Sequence, residues 1–417
     1  MSKADTQLAT SNGGNKRGRS RFYRERLGHL SERSALEHVD MNFVAVVARV
    51  RLCGGMILML YVACHLSNLS LGLWSLQLME QWRHVIMVPW QSWVGQFLLY
   101  GALASHVVLG LFSLSNRRRA ASMRSSDIAQ LALGLFIPPL LILHLLASRG
   151  AALLDGFQPS YGWFMFVYWK QAPLNGLKQV LVVSAAWIHG CLGLHTWLRL
   201  RPWWPKAAGF VYPLAFLVPV LALLGFVEAG KEALALLNGG DPVWAEGIAK
   251  AAARFATISP TLLLIQDIFL GVYTAAVALA VTAFIVRSRR QRLTTALVEF
   301  VEGQTVQASF GLSILEVSRT NDLPHASACA GHARCATCRV RVLAGMKNLS
   351  PPQLLETELL NRVGLEADVR LACQARLIGP SVTVQRLVPA DEEEEAARDP
   401  LRWKIRGVPA SAVAGAG

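Results

Sequence analysis

Four of the seven cysteines fall close together in the chain, as Cys329-x5-Cys335-x2-Cys338, followed at a distance by Cys373. Three thiolates on one loop and a fourth from a separate element can hold two irons and two sulfides, each iron taking two cysteines. Small residues surround them: Ala328, Ala330, Gly331, Ala333, Ala336 and Thr337. Such a loop can wrap closely and aim backbone N–H groups at the sulfurs. A structural zinc site more often pairs two short Cys-x2-Cys knuckles, and only one is present. Disulfides are disfavoured in a cytoplasmic location. The expected cofactor is a [2Fe-2S] cluster ligated by Cys329, Cys335, Cys338 and Cys373. Cys53, Cys64 and Cys191 lie in apolar stretches and read as packing residues.

Histidines form the second group. Residues 43 to 287 carry long apolar runs with few charges, and about 20 nearly uncharged residues match the thickness of a bilayer. Spans are expected at 43–70, 92–115, 128–147, 177–199, 210–228 and 261–286. The first four each contain one ionisable imidazole, His65, His106, His144 and His189, and such groups inside a membrane mark function by default. At 1.5 Å per residue, His65 and His144 fall roughly 21–24 Å deep and His106 and His189 roughly 13–15 Å, two layers about 9 Å apart. Each layer offers one imidazole from each of two helices, as a bis-histidine haem b requires. Gly110 and Gly193 follow the inner histidines by four residues, on the same helix face, and would leave room for a porphyrin. The alternative is that these histidines only hydrogen-bond between helices. His195 stands as an alternative ligand in the fourth span, and His84 reads as an interfacial residue.

An even number of spans puts both ends of the chain on one side. Basic clusters occupy alternate connections: Lys16 to Arg26, then Arg117, Arg118, Arg119 and Arg124, then Arg199, Arg201 and Lys206, then Arg287, Arg289, Arg290 and Arg292. Such bias marks the cytoplasmic face. The expected location is a bacterial inner membrane, with both termini cytoplasmic. The net charge of +14 is therefore read as topology, with no nucleic acid as partner. Segments 71–91, 148–176 and 229–260 read as outward loops. Trp74, Trp82, Trp90, Trp93, Tyr161, Trp163 and Trp169 fit an interfacial belt there.

The domain reading is a basic mobile N-terminus at 1–40, a transmembrane cytochrome b-like domain at 41–290, a ferredoxin domain at 293–390 and a flexible tail at 391–417. In the third, TALVEF and QTVQAS read as a strand hairpin, and RVRVLAG and VTVQRL as further strands. Ser313 and Glu316 form a capping-box pattern for a short helix.

SACAGHARCATCRVRV with the later RLACQ resembles the adrenodoxin-like branch of [2Fe-2S] ferredoxins, which implies an α+β, β-grasp domain. Its first gap of five residues differs from the four of plant-type ferredoxins. The stretches around His65 (HLSNLSLG), His106 (SHVVLG) and His189 (IHGCLGLHTWLR) resemble the cytochrome b anchor of succinate dehydrogenases and fumarate reductases, over about residues 43 to 200. That resemblance implies two b haems on four histidines and a quinone reacting nearby. The order of parts is similar to the N-terminal half of certain bacterial class III adenylate cyclases. Few residues follow Ala390, so no cyclase catalytic domain is expected in this chain.

The expected fold is thus a helical membrane bundle of about six spans followed by a β-grasp domain. The leading expectation is an electron-transfer protein or oxidoreductase subunit linking quinone or another donor, haem and cluster. The rivals are a redox sensor controlling a partner such as a cyclase, and a haem-free anchor for a ferredoxin. No flavin or nicotinamide fingerprint is found, so a cytoplasmic redox partner would supply any hydride chemistry.

Overall fold

The computed structural model describes residues 46–116, 125–290, 295–364, 366–392 and 396–397. The basic N-terminus 1–40, Arg117, Arg118, Arg119, Arg124, Arg292 and most of the tail 391–417 lie outside the described residues. Two units divide the chain: Met1–Arg49, whose described residues 46–49 are helical, and Val50–Gly417, which holds the remaining helices and the sheet.

Six helices are long and apolar enough to cross a membrane: α1 (Val46–Leu73), α2 (Trp93–Ser115), α3 (Ser125–Asp155), α4 (Pro173–Leu198), α5 (Trp204–Asn238) and α6 (Pro242–Arg289). Their outward faces are greasy. Phe97, Phe210, Phe216, Val272 and Leu279 are exposed, which suits helices bathed in lipid. Where helices meet, small residues allow contact. A Cβ at Gly72 would stand 2.4 Å from the Gly225 carbonyl oxygen, so α1 and α5 touch backbone to backbone.

The helices outrun the expected spans, most clearly at 229–260. That stretch is helix except for a turn at 239–241 between α5 and α6. Its charges hide the continuity in sequence, but they pair along the helix, Lys231 with Glu228 at 2.7 Å and Lys250 with Glu246 at 2.6 Å. Arg254 binds Asp155 at 2.6 Å and ties α6 to the end of α3. The expected loop 71–91 is likewise mostly helical, with Leu76–Ile86 capped by Ser75. In 148–176, α3 runs on through a π-helical segment, Leu146–Gly150, and a helix Tyr161–Phe166 follows. Of the expected belt, Trp74, Trp82 and Trp93 are exposed, whereas Tyr161 and Trp163 are buried. Trp163 packs against Phe157, Phe166 and Phe255.

The C-terminal domain is a five-stranded mixed sheet of order β2-β1-β5-β3-β4. The strands are β1 (Thr295–Phe300), β2 (Gln304–Ser309), β3 (Arg339–Ala344), β4 (Val369–Leu371) and β5 (Ser381–Arg386). The β1–β2 hairpin pairs antiparallel, as its alternation predicts, and β1 pairs parallel with β5. Helix α7 (Ile314–Thr320) starts on the expected capping box, and α8 (Leu354–Val363) ends on Gly364 in the left-handed region. One core joins sheet and helices through Val298, Phe300, Ile314, Leu315, Val340, Leu371 and Val384.

Candidate cluster loop and histidine pairs

The cysteines sit where two elements of the C-terminal domain converge. The first three lie on the loop between α7 and β3, and Cys373 follows β4. All four are buried free thiols. They approach each other in twos: Cys329 lies within hydrogen-bonding reach of Cys335, and Cys338 within reach of Cys373. Among the described residues no three or more His, Cys, Asp or Glu side chains gather around a point for a single ion. A two-plus-two arrangement instead matches a pair of irons, each taking two thiolates.

The loop is bent to make this possible. Ala330, Ala333 and Ala336, together with Gly331, adopt positive φ, which costs roughly 1–2 kcal/mol at each alanine. The two ends are locked to each other. Ala372 N–H donates to the Cys338 carbonyl at 2.9 Å, and Leu315 N–H to the Ala372 carbonyl at 2.9 Å. A buried ion pair stands behind Cys373: Arg370 reaches Glu356 at 2.8 and 3.0 Å, and Leu371 N–H donates to the same carboxylate at 2.8 Å.

Polar groups also face the sulfurs. Cys329 N–H donates to Cys335 Sγ at 3.3 Å, Thr337 Oγ1 lies 3.1 Å from Cys335 Sγ, and Gln374 Nε2 lies 3.4 Å from Cys373 Sγ. Burial lowers the basicity of Arg339, which is almost wholly buried, and the neighbouring Cys335 and Cys338 oppose that lowering. The hydrogen bond from Cys335 draws the Cys329 thiol well below its usual range. Cys335 and Cys338 are pushed well above theirs, first by their bonds to Cys329 and Cys373 and then by burial. A metal entering this site displaces the protons that Cys335 and Cys338 retain.

A family model for the 2Fe-2S iron-sulfur cluster binding domain matches residues 299–377. The chain is 35% identical over 68 residues to 2Fe-2S ferredoxin-5 of Aquifex aeolicus, covering 16% of this chain and 71% of the relative. It is 42% identical over 82 residues to a 2Fe-2S ferredoxin of Rickettsia felis, covering 19% and 73%. The chain belongs to the 2Fe-2S ferredoxins. A solved structure, the ISC-like [2Fe-2S] ferredoxin of Pseudomonas putida, is 33% identical and covers 23% of this chain and 93% of its own, with a TM-score of 0.21.

Away from the ferredoxin domain, the four expected histidines meet in the expected couples. His65 of α1 and His144 of α3 have ring centroids 6.2 Å apart, and His106 of α2 and His189 of α4 have theirs 6.1 Å apart. Two imidazoles on one metal are separated by two bonds of about 2 Å plus a ring radius on each side, roughly 6 Å in all. The Nδ1 atoms are engaged elsewhere: His106 at 3.1 Å from the Arg51 carbonyl, His189 at 2.9 Å from the Gln130 carbonyl, His144 at 3.1 Å from the Tyr168 hydroxyl. An Nδ1–H held this way leaves Nε2 as the donor atom, the usual arrangement around a ligating imidazole. Tyr61 stacks on His65 at 6.0 Å.

The two expected glycines of the inner pair differ in their surroundings. Gly110 has nothing near its missing Cβ, and Gly193 faces Gln130. The glycines that touch the rings are on the neighbouring helices. A Cβ at Gly55 would come 3.1 Å from His106 Cε1, and one at Gly134 would come 2.9 Å from His189 Cε1. Gly55 stands four residues after Arg51 and Gly134 four after Gln130, the residues whose carbonyls meet the imidazoles. In a helix the carbonyl of one residue points at the residue four further on, so glycine there uncovers it to an outside donor. The glycines that cradle the two rings therefore lie on the neighbouring helices, Gly55 on α1 and Gly134 on α3. His195 lies 3.3 Å from Tyr212 and packs on Trp204. His84 is exposed.

Proposed function

We propose that the chain is a membrane-bound one-electron carrier. In this reading Cys329 and Cys335 hold one iron of a [2Fe-2S] cluster and Cys338 and Cys373 the other. His65 with His144 and His106 with His189 each hold one haem b. Bound there, the haems and the cluster supply three one-electron centres. The protein's part is to hold each imidazole by its Nδ1, to keep water from the buried thiols and to fix the order of the centres across the bilayer. The observation that carries the haem assignment is the spacing of the two imidazole couples, 6.2 and 6.1 Å, with three of the four Nδ1 atoms already satisfied.

The outer couple is nearer a quinone or other donor in the membrane, and the inner couple nearer the ferredoxin domain. The basic residues Arg199, Arg201, Lys206, Arg287 and Arg289 support a cytoplasmic ferredoxin. A reduced-minus-oxidised spectrum of the purified chain, with iron, sulfide and haem quantitation, tests the assignment. The expected content is two b haems and one [2Fe-2S] cluster per chain. A cluster without b-type bands would leave a ferredoxin on a haem-free anchor. Redox-dependent binding of an effector without quinol turnover would make it a sensor.

A further inference from the structure

The loop that carries Cys329 and Cys335 is covered by the end of a membrane helix. Leu200, just past α4, packs against Ala328, Cys329 and Cys335. The neighbouring Arg199 guanidinium donates to the Ala328 carbonyl. The contact rests on apolar packing and a hydrogen bond to the backbone.

The helix that ends at this contact also carries the inner couple, since α4 holds His189 and leads directly into Arg199 and Leu200. On the loop, His332 Nδ1 lies 2.6 Å from the Cys329 carbonyl. On the other side of the couple, the Arg51 carbonyl of α1 receives His106 Nδ1 at 3.1 Å, and the Arg51 guanidinium donates to Ser113 Oγ of α2.

We propose that this contact is a fixed electron-transfer junction within one chain: the cysteine loop exchanges electrons with the inner couple His106 and His189 through the end of α4, and not with a soluble protein docking on the loop. The proposal rests on the haem and cluster assignments. The exchange moves one electron and no atom, one haem iron being oxidised as one cluster iron is reduced, or the reverse. Because the partners are already in place, no encounter precedes the transfer. Its rate is independent of protein concentration and insensitive to salt, unlike exchange between separate charged proteins.

The test uses the full-length protein with Leu200→Glu and Arg199→Ala, and Lys206→Ala as a control at an exposed position nearby. Amide exchange of peptides spanning 327–337 reads docking without reference to haem, and rapid mixing reads electron transfer between haem and cluster. Leu200→Glu is expected to raise loop exchange by about tenfold, the factor that 1.4 kcal/mol of lost docking free energy gives, and to slow transfer. Arg199→Ala has a smaller effect of the same kind and Lys206→Ala has none, with cluster EPR and haem content retained throughout. Unchanged loop exchange in both Leu200→Glu and Arg199→Ala overturns the docking whatever the haem content. Raised loop exchange with unaltered transfer overturns the junction. Raised loop exchange in a protein without b-type bands overturns the haem assignment, and the junction with it, but leaves the docking intact.

Discussion

Gly134 of α3 lies against the His189 imidazole of α4, so close that a Cβ at position 134 would stand 2.9 Å from ring atom Cε1. Adding one methyl must therefore move a half-buried ring that is anchored at 2.9 Å to the Gln130 carbonyl. Gly134→Ala is expected to displace His189 and to lower occupancy, or shift the potential, of the inner haem. Gly55→Ala, at 3.1 Å from His106, acts in the same direction and more weakly. Haem quantitation and potentiometry of the two variants check the order. An effect of Gly55→Ala as large as that of Gly134→Ala would overturn it.

Removing an imidazole should take away one centre and leave the other. His106→Ala or His189→Ala is expected to cost the inner haem, and His65→Ala or His144→Ala the outer one, because each couple draws on its own two helices. His195→Ala should keep both, since that ring is engaged by Tyr212 and Trp204. Loss of a haem from His195→Ala would reassign the fourth helix.

The cysteine spacing and the pairing of the histidines were legible because each follows from positions along one chain. The β1–β2 hairpin and the Ser313–Glu316 cap were legible for the same reason, being built from neighbouring residues. What escaped depends on partners distant in sequence. Gly55 and Gly134 acquire meaning only when α1 meets α2 and α3 meets α4. Arg339 and Gln374, which face the sulfurs, adjoin cysteines in sequence but look like ordinary strand and loop residues. The three-residue β4 is too short to show alternation. The helical 229–260 was hidden by charges whose pairing along the helix is invisible to a scan for apolar runs.

Replacing Cys335 or Cys338 by Ser is expected to abolish the EPR signal of the reduced cluster and to leave the haem bands, because the two sets of ligands lie on different elements. A retained signal in both variants would sink the ligand assignment.

Arg339 places a positive charge beside Cys335 and Cys338 in a site that excludes water. The reduced cluster carries one more negative charge than the oxidised one, so this cation favours reduction. Arg339→Gln is expected to lower the cluster potential by about 60 mV for each 1.4 kcal/mol of attraction lost. Potentiometric EPR checks the sign, and an unchanged or higher potential would remove Arg339 from the electrostatics of the site.

The buried pair Arg370 and Glu356 positions the residue before β4 turns into Cys373, and Glu356 also receives Leu371 N–H at 2.8 Å. Glu356→Ala strands a buried guanidinium and a backbone donor, a change that typically costs about 3–5 kcal/mol. A domain whose whole stability is of order 5–15 kcal/mol cannot absorb that without consequence. The ferredoxin domain of Glu356→Ala is therefore expected to lose its cluster at lower temperature, followed by visible absorbance on heating, while the haem bands persist. Glu356→Gln keeps hydrogen-bonding capacity toward both partners and should fall between the two. If Glu356→Ala holds its cluster to the wild-type temperature, the pair is not what fixes the approach of Cys373 to Cys338.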